Sequence, residues 1–438
     1  MKKSEYDVII VGSGAGGATV AKELSKKGRS ILIVERGPLP HTLGTSSSIF
    51  KYFDRFGFKA GNFGNYIYRA LMCGGTTCVS CGNGMVALKD EFEKIGIDLS
   101  EEFKEVSNEL NIQPLSDRLI GKGTKLIMDS ACALGHEMKP MPKFVDHKLC
   151  VSCGNCVLGC RYGAKWTALN FLEESLKNGA SLITKTKIES VIIRNNRAEG
   201  VLAVGPKGKV EIKADKIILA AGGIGTPAIL QRSGVDNAGK KLFVDFFSVV
   251  YGKMRNTKIR LDKEPSMAAI CDKYYGDKGF ILSPFIDTTL AFRIVVPVWA
   301  QLRGFQRNNL LGIMVKIKDS DEGSVTEREK IFKKVSQIDN IRLQEGARIA
   351  KDVLINIGIN RKDILITKPR GAHPGGSAGI GEVVNKNLET KIKNLYVCDA
   401  SVLPQSPGIP PIVVILALAK KFCKYLIADQ SISLSNYE

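Results

Sequence analysis

Apolar residues dominate positions 6–11 (Tyr-Asp-Val-Ile-Ile-Val) and run straight into Gly12-Ser13-Gly14-Ala15-Gly16-Gly17. Helical spacing follows over 18–27, and a second apolar run at 30–34 closes on Glu35. That order predicts strand, helix and strand in a βαβ unit. Residues 42–82 are rich in Gly, Ser and Phe and are expected to form loops. Helical, acidic segments are predicted over 99–115 and part of 121–134, and a further helix over 166–178. Positions 181–201 alternate as strands do, while 216–220 (Lys-Ile-Ile-Leu-Ala) has the unbroken apolar character of a buried strand. From about 242 to 364 the composition shifts, with no glycine fingerprint, more aromatic and charged residues, and an amphipathic helix expected at 341–357. The chain is Gly-rich again from 371, with a strand at 395–397 and a helix over 412–428. No internal repeat or low-complexity tract is present.

At 438 residues the chain can bury a large core, divided between two interleaved domains. The longest uncharged apolar stretch near the C-terminus, 408–419, is too short to cross a bilayer. Met1-Lys2-Lys3 leads into a strand rather than a signal peptide. With no twin-arginine or lipidation box, a cytoplasmic location is expected, peripheral contact with a membrane being left open. The formal charge of +19 is spread along the chain in short blocks without aromatic interleaving, so nucleic acid is not an expected partner. A solvated lysine-rich surface is the plain account of that charge. Attraction to an acidic electron carrier, an anionic substrate or an anionic membrane face is the sharper one.

Gly12, Gly14 and Gly17 form G-x-G-x-x-G, and Glu35 lies eighteen residues beyond Gly17. The first glycine makes a tight turn, the second lets a pyrophosphate reach the backbone, and the third packs helix on strand. The acidic residue would hold a ribose. This motif alone leaves FAD and NAD both open. A second pattern is C-x2-C-x2-C-x3-C at Cys150, Cys153, Cys156 and Cys160, the bacterial-ferredoxin spacing. Eleven cysteines, an odd number, fit metal ligation in a reducing compartment better than disulfides. Structural zinc sites usually present two separated cysteine pairs, so the compact run favours a [4Fe–4S] cluster over zinc, with metal-free thiols kept in a loop as the other alternative. Cys160 precedes Arg161 rather than proline, which makes the fourth ligand the least defined. Cys73, Cys78 and Cys81 copy a plant-type [2Fe–2S] spacing, although small residues lining a cofactor are the plainer account of them.

Three further blocks follow the fingerprint in order: 73–77 (Cys-Gly-Gly-Thr-Thr), 217–227 (Ile-Ile-Leu-Ala-Ala-Gly-Gly-Ile-Gly-Thr-Pro), and 373–377 (His-Pro-Gly-Gly-Ser) continuing to 394–404. Together they resemble the glucose–methanol–choline (GMC) flavoprotein oxidoreductases, over most of the chain and most weakly over 242–364. The segment 153–165 looks like the branch near the long-chain alcohol oxidases. The resemblance implies an α/β fold in which a Rossmann-like FAD-binding domain (1–95, 181–241 and 365–438) is interleaved with an α+β substrate domain (242–364). A helical, cysteine-bearing segment occupies 96–180. It also implies that Gly74, Gly75 and Thr76 cover the flavin, that Ala221 and Asp399 lie against it, and that His373 is the active-site base. Some family members attach the flavin through a histidine in the covering loop. Here Val79 stands nearby, so non-covalent FAD is expected. Where the family usually carries a second His or Asn, this chain has Pro410, which has no side-chain donor or acceptor.

These readings converge on an FAD-dependent dehydrogenase taking hydride from a CH–OH substrate, with His373 as base. Single electrons would then leave through the cluster to a ferredoxin-like or membrane-associated acceptor. Two rivals stand beside it. One is a reductase of C=O or activated C=C bonds running the same parts in reverse, motivated by Pro410. The other is a flavin and iron–sulfur electron-transfer subunit with no substrate of its own.

Overall fold

A computed structural model describes residues 5–54, 59–60, 66–255 and 259–428. Its first strand, β1 (Tyr6–Val11), feeds helix α1 (Ala15–Ser25), which returns the chain to β2 (Ile31–Val34), parallel to β1 with Val8 opposite Ile31. Val8, Ile9 and Ile10 are buried, as are all four residues of β2, which is the continuous apolar character of a strand covered on both faces. Helix α2 (Ala168–Lys177) packs on α1, its start fixed by a capping box between Thr167 and Asn170. Strand β3 (Ser181–Ile183) extends the sheet beyond β2.

An antiparallel meander follows: β4 (Lys187–Arg194), β5 (Arg197–Gly205) and the long β6 (Gly208–Leu219). The first half of β6 pairs with β5. Its second half pairs in parallel with β1 on one side and with a strand at Leu395–Val397 on the other. Helix α3 (Gly222–Arg232) leaves the end of β6, so β1, β2 and β6 all deliver their carboxyl ends to one edge. Open α/β sheets bind ligands at that edge, where neighbouring connections diverge. The C-terminal helix, Ile412–Ala428, packs on α1.

The shifted stretch builds a second sheet from β7 (Phe246–Lys253), β8 (Phe280–Pro284) and β9 (Leu310–Ile317), in the order β8-β9-β7. Short strands at Arg370–Gly371 and Tyr66–Ile67 continue it, so segments far apart in the chain share one sheet. Every residue of β9 is buried. Between β8 and β9 the chain makes two short helices, α4 (Thr289–Val295) and α5 (Val298–Leu302). Helix α6 (Gln337–Asn356) covers β7, β8 and β9, and starts at Ser336, whose hydroxyl accepts the Asp339 amide. It contains most of the helix expected at 341–357. The expected loops of 42–82 hold a short helix, Ser47–Tyr52, besides the strand Tyr66–Ile67, while 55–58 and 61–65 lie outside the described residues.

Candidate active site

A cavity of about 370 Å³ opens between the two sheets. Its nucleotide end is built by the turn after β1. Gly12 has φ +100°, and a Cβ there would come within 2.4 Å of the Ala220 carbonyl oxygen. A Cβ on Gly14 would meet nothing within 4 Å, so this backbone faces open space where a bulky group can approach. No side chain caps α1, whose first amides therefore keep their capacity for an anion. Glu35, at the end of β2, accepts the Ser13 amide (2.9 Å) and hydroxyl (2.6 Å) and the Gly37 amide (2.7 Å). Burial pushes its carboxyl above the usual range against the pull of those donors.

Asp399 closes the other side. It accepts the Gly222 amide (2.8 Å), the Thr226 hydroxyl (2.5 Å) and the Ser401 amide (2.7 Å), pinning the start of α3. Of the positions expected to hold FAD, Gly12, Gly14, Glu35, Gly75, Thr76, Ala221 and Asp399 line the cavity. Gly17 and Gly74 stand behind the wall. A Cβ on Gly17 would reach 2.1 Å from the Gly12 oxygen, and the Gly74 amide donates to the Ser13 hydroxyl at 3.2 Å. The side-chain-free cradle, free amides and buried acidic group fit a dinucleotide.

The substrate end is mostly apolar, with Phe247, Met267, Phe285 and Met314 in its wall, and His373 faces it. About a quarter of the His373 side chain remains open. Its Nδ1 lies 2.8 Å from Oδ2 of Asp245, a fully buried carboxylate just before β7. Asp245 also accepts the Ser406 hydroxyl (2.6 Å) and the Gly408 amide (3.0 Å), and the ammonium of Lys316 in β9 lies 3.3 Å away. The Asp245 backbone is left-handed at φ 51°, held there by Asp319, which accepts its amide at 2.7 Å and pairs with Lys333 at 2.8 Å.

Burial opposes ionisation of Asp245, but Lys316, His373 and Ser406 together hold its carboxyl below the usual range. His373 is held below the ordinary histidine value by burial and then by Lys316, against the pull of Asp245. An ionised Asp245 accepts the Nδ1 proton, so the neutral ring keeps its lone pair on Nε2. Pro410 lines the same cavity and offers no polar atom from its side chain, while Lys316 does. Sequence reasoning found His373 and missed Asp245 and Lys316. Their available signal was a lone charge inside an apolar strand run, 243–247 (Phe-Val-Asp-Phe-Phe) and 310–317 (Leu-Leu-Gly-Ile-Met-Val-Lys-Ile).

Cys150, Cys153, Cys156 and Cys160 line a separate cavity of about 30 Å³. Among the described residues, no three or more His, Cys, Asp or Glu side chains are gathered closely enough to hold one metal ion. The cysteine loop winds through left-handed backbone at Ser152, Gly154 and Gly159. Val157 and Leu158, from the same loop, line the large cavity. One buried lysine, Lys165, ties the two regions together, and a second, Lys143, is buried on the side of the large cavity. Lys165 Nζ donates to the carbonyls of Cys78 (2.9 Å), Ser80 (2.6 Å) and Cys156 (3.1 Å). Lys143 Nζ donates to the Cys81 carbonyl (2.9 Å), Asn83 Oδ1 (2.6 Å) and the Ser266 carbonyl (3.0 Å). Neither has a carboxylate partner among the described residues. Cys73 and Cys78 are buried in the protein core, and Cys81 lines the large cavity. Burial pushes the Cys73 thiol up to about 12 and the Cys78 and Cys81 thiols up to about 11.

A parallel βαβ sheet with a glycine cradle, joined to a second sheet that presents a histidine backed by a buried aspartate, defines a dinucleotide-dependent oxidoreductase. The chain belongs to the GMC oxidoreductase family, whose N-terminal model matches residues 6–246 and whose C-terminal model matches 330–419, and it is an FAD-dependent oxidoreductase. It is 34% identical to the uncharacterized protein MJ1450 of Methanocaldococcus jannaschii, over 96% of this chain and 100% of that one. It is 23% identical to a long-chain-alcohol oxidase of Arabidopsis thaliana, over 94% of this chain and 66% of the relative. Pyridoxine 4-oxidase superposes with a TM-score of 0.72 at 18% identity, covering 96% of this chain and 99% of that one. A variant formate oxidase of Aspergillus oryzae superposes at 0.77 and 16%, covering 99% and 100%. Among the described residues, no helix is long and apolar enough to cross a membrane.

Proposed function

We propose that this protein is a dehydrogenase that oxidises a CH–OH carbon of a largely apolar small molecule and releases the electrons singly through an iron–sulfur cluster. The observation that carries the oxidation is the Asp245–His373 pair in the wall of the cavity that also holds the glycine cradle. His373 Nε2 takes the hydroxyl proton. Asp245 fixes the ring and stabilises the cation that forms, and Lys316 keeps Asp245 ionised. The apolar walls exclude water and orient the hydrocarbon part of the substrate. Bound FAD supplies the hydride acceptor, held by the cradle residues Gly12, Gly14, Gly75, Ala221 and Asp399 together with Glu35. A long-chain-alcohol oxidase among the relatives agrees with an alcohol as substrate.

The cluster reading, with Cys150, Cys153, Cys156 and Cys160 as ligands, rests on their shared cavity and on the wall that their loop contributes to the flavin cavity. Lys143 and Lys165 lie beside this loop, and burial holds both below the ordinary lysine value by disfavouring their ammonium forms. A buried cation with no anion nearby costs several kcal/mol, and thiolate-ligated iron–sulfur would supply the missing negative charge. Such a cluster supplies one-electron transfer towards a ferredoxin-like or membrane-associated acceptor. Pro410 in the cavity wall favours one alternative, reduction of C=O or activated C=C by the same parts. Anaerobic mixing with alcohols, followed at the flavin band, tests the main reading. Bleaching by an alcohol supports it. Bleaching by none, with reoxidation by enones or ketones, favours the reductase. Failure of both leaves the electron-transfer subunit.

A further inference from the structure

Helices α4 and α5 form a hairpin that is apolar on both sides. Ala291, Phe292, Val296, Ala300 and Phe305 are buried against the protein. On the outer side Ile294 is 42% exposed, Val298 69%, Trp299 53% and Leu302 82%. Helices that are apolar all round are normally covered on all sides, and single scattered apolar residues need no explanation, but four within nine positions do. The hairpin is firmly built. The Gln301 side chain donates to the carbonyls of Val296 (2.7 Å) and Arg293 (3.1 Å), and the Arg307 guanidinium donates to the Asp287 carbonyl (2.7 Å) at its base.

Charge selects what covers this face. Residues 288–318 contain no Asp or Glu, and Arg293 and Arg303 stand exposed among the apolar side chains, Arg303 lying 5.4 Å from the Trp299 ring centroid. The neighbouring Lys253 is paired with Asp363 at 3.3 Å and adds no net charge. Trp and Leu interleaved with Arg, and without carboxylates, suit the boundary between acyl chains and anionic headgroups. A stable protein interface needs roughly 800 Å² from each partner, more than four side chains on a short hairpin supply.

We propose that the α4–α5 hairpin seats the protein on an anionic lipid surface. The first turn of α4 also walls the large cavity through Ala291, with Thr288 just before it. The hairpin and the cavity thus share a wall, which places an apolar substrate dissolved in the lipid next to the proposed substrate site, on which this consequence rests.

The test is flotation of the purified, flavin-loaded protein with phosphatidylcholine vesicles, with and without phosphatidylglycerol, at low and high salt. Trp299 emission is followed in a Trp166→Phe background, since the chain has two tryptophans. Flotation needs no turnover, so it is read independently of the catalytic proposal. The expected result is flotation with the anionic vesicles, weakened by salt, and a blue shift of Trp299. Val298→Gln/Leu302→Gln should lower vesicle affinity at least about tenfold with flavin content and Tm unchanged. Failure of the wild type to float with either vesicle overturns the proposal, as does equal flotation of the double variant. A concentration-dependent dimer that the double variant abolishes would assign the face to a second copy instead, and overturns it too.

Discussion

Asp245 is a fully buried carboxylate facing a histidine, a lysine, a hydroxyl and an amide. Removing its charge should therefore act twice. Asp245→Asn is expected to lower kcat by about 10²- to 10⁴-fold, the range seen when an orienting carboxylate or a general base is lost. It should also cost about 3–5 kcal/mol of stability by stranding Lys316, measurable by denaturant unfolding. An unchanged kcat would remove the positioning role. The pH profile follows from His373. Its lowered value keeps the ring neutral, and so competent as a base, to more acid pH than an ordinary histidine. The log of kcat/KM should be flat near neutrality and fall on the acid side with a midpoint below about 6.5. A midpoint above that value would contradict the assigned environment. His373 was legible in the sequence because it opens a recognisable block. Asp245 was not, because it lies 128 residues away and meets the ring only in the folded chain.

Among the elements, the β1–α1–β2 unit makes the sharpest contrast between two glycines. Gly12→Ala places a Cβ against the Ala220 carbonyl in left-handed backbone and should lower both Tm and FAD content. Gly14→Val meets no protein atom at its Cβ. It should therefore fold with near-normal Tm as apoprotein, yet bind FAD at least about tenfold more weakly, because the branch fills the cradle. Isothermal titration with FAD separates the two, and normal binding by Gly14→Val would contradict the cradle. The βαβ unit could be read from the sequence because its periodicity changes cleanly from strand to helix to strand. The second sheet could not. Strand β9 is buried along its whole length, so it shows no alternation, and the partners that complete the sheet, Tyr66–Ile67 and Arg370–Gly371, are too short to carry a pattern.

Over the whole molecule, the flavin cavity and the cysteine loop share a wall, and Lys165 bridges them by donating to carbonyls on both sides. If an anionic cluster compensates Lys143 and Lys165, Lys165→Met should lower its retention and move its reduction potential to a more negative value. Taking away a positive charge disfavours the more negative reduced state. Iron content and an EPR-monitored redox titration check this, and an unchanged potential at full occupancy would remove the lysine from the account. The spacing of the four cysteines was legible. The buried lysines Lys143 and Lys165 were not, because nothing in a lysine-rich sequence distinguishes a buried lysine from a surface one.

The central proposal is a flavin that would hand its electrons to a one-electron carrier in the same chain. A reductive titration of the anaerobically purified protein, counting electrons taken up per chain, tests it most directly. Flavin with one cluster should take up about three electrons, with about four irons and four sulfides per chain. Uptake of about two electrons by iron-free protein would contradict the relay and leave a two-electron flavoprotein whose acceptor meets the flavin directly.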